Sequence, residues 1–177
     1  MIRKKAILLA TLNKDKKYEI VNLFSDMRIK ILGLDNFPEI EDIPESGKTL
    51  LENSLIKSRE AYRITGLPSL ADDSGLEVDL LNGAPGVYSA RYAGENVTYD
   101  ENINKLLSKL VKYNNVDVRT ARFKTVISYV SNKMELVEYG EVEGYITTSK
   151  LGSNGFGYDP IFIPKGFNLT FAEMNHL

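Results

Sequence analysis

Two adjacent carboxylates, Asp72 and Asp73, follow directly on the apolar stretch Leu67 to Ala71 and run straight into Ser74-Gly75. No other feature constrains the fold of this chain as tightly. On an extended chain adjacent side chains point to opposite sides, so only one of the pair is expected to enter a given site. Packing two such charges there is costly unless a cation or a hydrogen-bond network holds them. The arrangement points to a hard metal ion, which takes carboxylate oxygens, with the other Asp structural. Gly75, Gly83, Gly86 and Gly94 then mark a loop with several tight turns. This describes a site more than a core.

The 177 residues fit one domain, or one domain with a small second lobe. A composition 43% hydrophobic and 26% charged suffices to bury a sizeable core. The net charge of −2 offers no footprint for a nucleic-acid polymer. With no cysteine, disulfides, thiolate chemistry and Cys-ligated zinc are excluded, and a reducing compartment fits. The single histidine, His176, reads as a terminal residue rather than a catalyst. Met1 to Lys5 is basic, but the apolar run Ala6 to Ala10 is too short for a signal-peptide core. No run approaches membrane-spanning length. A cytoplasmic protein without membrane contact is expected.

Ala6 to Ala10 reads as a strand buried on both faces. Asn13 is placed to cap a following helix with Ile20, Val21, Leu23 and Phe24 apolar. Arg28 to Leu34 suits a second strand. Thr49 and Glu52 form a capping-box signature opening a helix to about Thr65, stopped by Gly66 and Pro68. Thr98 and Glu101 repeat it, before Ile103, Leu106, Leu107, Leu110 and Val111 at amphipathic spacing. Thr120 to Val130 and Glu135 to Thr148 then read as strands joined at Asn132-Lys133. Ala121, Phe123, Thr125, Ile127 and Tyr129 share one face of the first. Helices alternating with strands, then a hairpin, predict an α/β fold with a mixed, twisted central sheet and flanking helices.

Three further segments carry groups suited to chemistry. Thr11-Leu12-Asn13-Lys14-Asp15-Lys16 lies where a buried strand meets a helix, whose N-terminal amides and dipole suit phosphate. The same residues serve a capped helix with solvated lysines. Glu45 lies in a loop between Pro44 and Gly47, free to reach a metal, whereas capping accounts for Glu52. Lys57 falls on the same helix, facing either phosphates or solvent. In Gly155-Phe156-Gly157-Tyr158-Asp159-Pro160 the glycines allow close backbone approach. There Phe156 and Tyr158 either stack on a planar base or tuck into the core. Tyr88 and Arg91 suit a phosphate, a partner subunit or the surface.

Together these segments resemble the inosine triphosphate pyrophosphatase family. The matches come in order: Thr11-x-Asn13-x-x-Lys16; Glu45-Ser46-Gly47-x-Thr49-x-x-Glu52-Asn53; Ala71 to Leu76; Gly83 to Arg91; Ala121-Arg122-Phe123; Gly155 to Pro160; and Thr170 to Glu173. The resemblance implies a single two-lobed domain over 1–177 that dimerises, with the nucleotide in a cleft between lobes. It implies Mg²⁺-dependent cleavage of ITP, dITP and XTP between the α and β phosphates.

Position by position, Asp73 resembles the metal ligand and proton acceptor, and Glu45 the second carboxylate at the metal. Thr11 to Lys16 resembles the triphosphate-binding turn, supported by Ser74 and Lys57. Phe156, Gly157, Tyr158 and Asp159 resemble the base and sugar platform. The family usually continues past its Ala-Glu segment with a Lys and then Ser-His-Arg, which has no counterpart here, so weak base selectivity and lower activity are expected. The rival readings are a degenerate nucleotide-binding dimer with little turnover and a related pyrophosphatase of broader nucleotide specificity.

Overall fold

The computed structural model describes residues 5–38, 40 and 43–175; His176 lies outside them. It is an α/β fold with one mixed sheet. Six strands, β1 (Lys5–Leu9), β2 (Ile29–Gly33), β3 (Ser69–Val78), β4 (Thr120–Val130), β5 (Glu135–Ile146) and β6 (Phe162–Pro164), take the order β2-β1-β3-β4-β5-β6. The helices are α1 (Lys14–Leu23), α2 (Leu50–Thr65) and α3 (Tyr99–Lys109). No helix among the described residues is long and apolar enough to cross a membrane. The chain divides into two compact units, Met1–Asp73 with Thr125–Tyr139, and Ser74–Lys124 with Gly140–Leu177.

In the first unit β1 pairs in parallel with β2 and, at Leu8 and Leu9, with β3. Leu8, Leu9 and Ala10 are fully buried, but Ala6 and Ile7 only half, so burial on both faces holds for the second half of the run. Leu8, Ala10, Leu34, Ile40, Ile43, Ala61 and Ala71 form the core. Thr49 caps α2 by accepting the Glu52 N–H, and Gly66 ends it in the left-handed conformation. The reciprocal half of the expected capping box is not made: the Glu52 carboxylate accepts the Lys48 N–H, one residue before the cap. Helix α1 departs from expectation: it buries no residue, and Val21 and Leu23 are exposed. Apolar spacing marks a face but does not supply what packs on it.

In the second unit Leu76, Val78, Ile103, Leu106, Leu110, Ala121, Ile146, Tyr158, Ile161 and Phe162 form the core. Both halves of the capping box at Thr98 and Glu101 are made. Val111 falls beyond the helix end and is exposed. Gly75 is a residue of β3 rather than of a loop, and glycine is required there because a Cβ would stand 2.4 Å from the Gly86 carbonyl oxygen. Ser89 Oγ fastens the same loop, donating to Gly86 O and accepting the Leu76 N–H.

β4 and β5 are neighbours joined by a turn closed from Ser131 N–H to Met134 O, and so short a connection makes them antiparallel. Ala121, Phe123, Thr125, Ile127 and Tyr129 alternate along the one strand β4 as expected, but the face they share is not the covered one along its whole length. In the second unit Ala121 and Phe123 join the core, whereas in the first Val126, Ser128 and Val130 are buried and Ile127 is exposed. The even positions turn inward there because α2 offers Ser54 and Ser58 to Ser128.

Arg119, fully buried, holds the end of α3. Its guanidinium donates to the carbonyls of Leu110 and Tyr113, at 2.9 and 2.8 Å, and also to Thr147 O. Carbonyls at a helix C-terminus lack intrahelical partners and favour a cation. Arg119→Met strips three carbonyls, two of them in buried contacts, of their donor and is expected to cost about 3 kcal/mol or more, read as a lower urea midpoint at unchanged slope. A loss below about 1 kcal/mol would show that solvent replaces the guanidinium without penalty.

Candidate active site

Strand β1 delivers the chain to Thr11, and Asn13 turns it into α1. The Asn13 N–H donates to Thr11 Oγ1, and Asn13 Oδ1 accepts the N–H groups of Asp15 and Lys16 at 2.9 and 3.1 Å. Two amides expected to face phosphate are thus held by the cap itself, while the dipole of the helix end remains. Leu12, Lys14 and Asp15 are exposed and Lys16 is half-buried. The parallel register sets Leu9 beside Leu70, which brings Asp72 near this turn. Lys16 Nζ lies 2.6 Å from Asp72 Oδ2.

The adjacent carboxylates do point apart, as strand geometry requires. Both are buried, Asp72 to 4% and Asp73 to 7% exposure, and each has its own lysine. Lys57, itself 7% exposed, reaches Asp73 Oδ1 at 3.3 Å and Glu45 Oε1 at 2.7 Å. Asn53 donates to Asp73 Oδ2 at 3.2 Å. Burial raises the Asp73 carboxyl above the usual aspartate range and Glu45 adds to this, against Lys57, Lys16 and Asn53. Burial alone would lower Lys57, but Asp73, Glu45 and Asp72 outweigh it and hold the ammonium above the ordinary lysine value. Lys57 is therefore a paired, buried cation and not a solvated one.

Among the described residues no group of three or more His, Cys, Asp or Glu is arranged to hold a metal. Glu45 and Asp73 are instead two hard oxygen donors sharing one ammonium. That donor set fits Mg²⁺, which takes one or two protein carboxylates with waters and phosphates rather than a protein cage.

In the second unit Ser74 follows Asp73 on β3 and is half-buried. Asp159 Oδ2 accepts the Phe156 N–H at 2.8 Å and closes the Gly-rich turn, in which Gly157 has positive φ. Phe156 is half-buried, its ring centroid 6.0 Å from that of Tyr99. Of the two alternatives for Tyr158, the ring takes the core: it is 5% exposed there and donates its hydroxyl to Ser89 O at 3.0 Å, so it is not open for stacking on a base. Burial pushes that hydroxyl's pKa up. Its ring is occupied in packing. Tyr88 is exposed with the Arg91 guanidinium 5.5 Å from its ring centroid.

Asp72, expected to be structural, anchors Lys16, a partner the sequence did not show. Asn53, which sequence reasoning missed, touches the carboxylate proposed from sequence as the proton acceptor. The available signal for Asn53 was its spacing of four from Lys57, which places both on one helix face.

The Ham1 family profile matches residues 7–176. A dITP/XTP pyrophosphatase of Vibrio cholerae is 46% identical over 173 residues, covering 96% of this chain and 86% of that protein. Among solved structures, a HAM1 protein from Coxiella burnetii superposes with a TM-score of 0.86 at 44% identity, over 96% of this chain and 87% of its own. A nucleoside-triphosphatase and dITP/XTP pyrophosphatase from Mycobacterium abscessus superposes at 0.80 and 40% identity, over 97% and 90%. Matched along nearly its whole length in sequence and in structure, the chain belongs to the Ham1 family.

Proposed function

We propose that this chain hydrolyses non-canonical purine nucleoside triphosphates, dITP, ITP and XTP, between the α and β phosphates, giving the nucleoside monophosphate and pyrophosphate. The carrying observation is the cluster of buried Lys57 and Asp73 with half-buried Glu45, which combines hard oxygen donors with a fixed cation. The names of the relatives from Vibrio cholerae and Mycobacterium abscessus supply the substrate class. Glu45 and Asp73 would hold the divalent cation, Mg²⁺ in this reading. When bound, such a cation neutralises phosphate charge and acidifies a water molecule.

The side chains do the rest. Asp73 accepts the proton of the attacking water as the anhydride bond breaks. Lys57 and Lys16 place positive charge where the phosphates carry negative charge, a preorganised arrangement that needs no rearrangement during the reaction. Thr11 to Lys16 and Ser74 receive the triphosphate, and Phe156, Gly157 and Asp159 meet the base and sugar, with Tyr158 bracing that turn from the core. Housekeeping of the nucleotide pool by a cytoplasmic homodimer completes the reading, and the lack of cysteine fits such a compartment. A relic that only binds nucleotide would have no use for a charged cluster that is expensive to bury.

Incubated with Mg²⁺ and ITP, XTP, GTP or ATP, the protein is expected to release pyrophosphate, not orthophosphate, with a modest preference for ITP and XTP. Equal pyrophosphate from all four would keep the chemistry and replace the selectivity by a broader one; no release with ITP bound would favour the relic. Asp73→Asn is expected to lower turnover by about 10²- to 10⁴-fold while nucleotide still binds calorimetrically. Near-normal turnover would remove Asp73 from the mechanism. Lys16→Ala is expected to weaken triphosphate binding by about 10- to 100-fold and spare the nucleoside. Equal losses for both ligands would contradict its placement.

A further inference from the structure

Asn53 is fully buried on α2, one turn ahead of Lys57. Its Oδ1 accepts the Gly47 N–H at 2.8 Å, and its Nδ2 donates to Asp73 Oδ2 at 3.2 Å. A backbone N–H can only donate, so the amide has one allowed orientation, oxygen toward Gly47 and nitrogen toward the carboxylate. Gly47 stands two residues from Glu45. A Cβ at position 47 would lie 2.6 Å from Asn53 Oδ1, so the loop comes this close only with glycine there. Lys57 makes the parallel link between Glu45 and Asp73 from the same helix face. Asn53 and Lys57 thus meet opposite oxygens of one carboxylate.

The helix that carries them is itself fixed to the strand. Ser54, Ser58 and Ser128 are fully buried. Ser54 Oγ lies 3.1 Å from Ala71 O, two residues before Asp73 on β3. Ser128 Oγ donates to Ser54 O at 2.8 Å and lies 2.7 Å from Ser58 Oγ. Small hydroxyl side chains let the helix approach closely while every polar contact is answered within the cluster.

We propose that Asn53 is a positioning residue: it ties the loop bearing Glu45 to the strand bearing Asp73 and so sets the spacing of the two carboxylates that receive the cation. The inference rests on the metal reading above. Groups that orient metal ligands typically cost 10- to 100-fold in metal affinity when removed.

The test uses Mn²⁺ alone as probe, with free Mn²⁺ counted by electron paramagnetic resonance over wild type, N53S, N53L, S128A and E45A. Asn53→Ser and Asn53→Leu are expected to weaken Mn²⁺ about tenfold or more. Both should still bind ITP in EDTA like the wild type. Ser128→Ala, which loosens the same helix without touching either carboxylate, should lose thermal stability and keep its Mn²⁺ affinity. Glu45→Ala should lose Mn²⁺. A folded N53S or N53L with wild-type Mn²⁺ affinity, beside an E45A that has lost it, overturns the role of Asn53 and leaves the metal reading standing. An E45A that binds like wild type removes the metal reading, and the positioning role with it. Amide exchange in the wild-type protein needs no variant to fold: the Gly47 N–H should be protected despite lying in a loop, and rapid exchange there overturns the tie.

Discussion

A single ammonium, Lys57 Nζ, stands between Glu45 and Asp73 inside the first unit, and the strand, loop and helix that meet there are arranged around its charge. At an effective dielectric of 20, unit charges about 4 Å apart attract by about 4 kcal/mol, while removing an ion from water costs several. The outcome therefore turns on the number of counter-charges. Lys57 is held by Asp73, Glu45 and Asp72 together, so its proton is bound more tightly than in water. Asp73 has the same lysine but also Glu45 beside it, so burial prevails and the carboxyl becomes more basic. One ion pair thus yields a firm cation and a better base.

Helix α2 makes this possible because it offers two adjacent polar rungs. Asn53 and Lys57 face the carboxylates, and Ser54 and Ser58 face β4 and the carbonyl of Ala71. Spacing of four keeps each rung in line along the axis. A helix in water would gain nothing from four polar residues on its buried side. Here each has a partner, so the cost of burial is offset and the helix can sit in one register only.

Much of this was legible in the sequence, for reasons that differ by residue. Thr49, Thr98 and Asn13 are local caps, and a cap needs only the next three residues to form, so the sequence contains the whole interaction. The Asp pair was legible because two adjacent charges after an apolar stretch demand compensation. Its partners were not, since Lys16 and Lys57 reach Asp72 and Asp73 only through the sheet and helix packing. Which face of β4 is covered was not legible for the same reason: alternation gives two faces, and which one is buried past Phe123 depends on α2. Tyr158 beside Phe156 carried no local mark that one ring belongs to the core and the other does not.

The salt bridge between Lys16 and Asp72 bears on how a polyanion would be received. An ammonium has three donors, and one contact at 2.6 Å to Asp72 leaves the others to be directed elsewhere. A free lysine side chain surrenders about 2 kcal/mol of rotamer freedom when it is fixed on a ligand. Asp72 has already fixed this one, so the loss is borne in folding rather than in binding. The same carboxylate also moderates the attraction, since a phosphate must share a cation that is already partly compensated. Asp72, the carboxylate turned away from Lys57 and Asn53, thus sets how far Lys16 is committed before any ligand arrives.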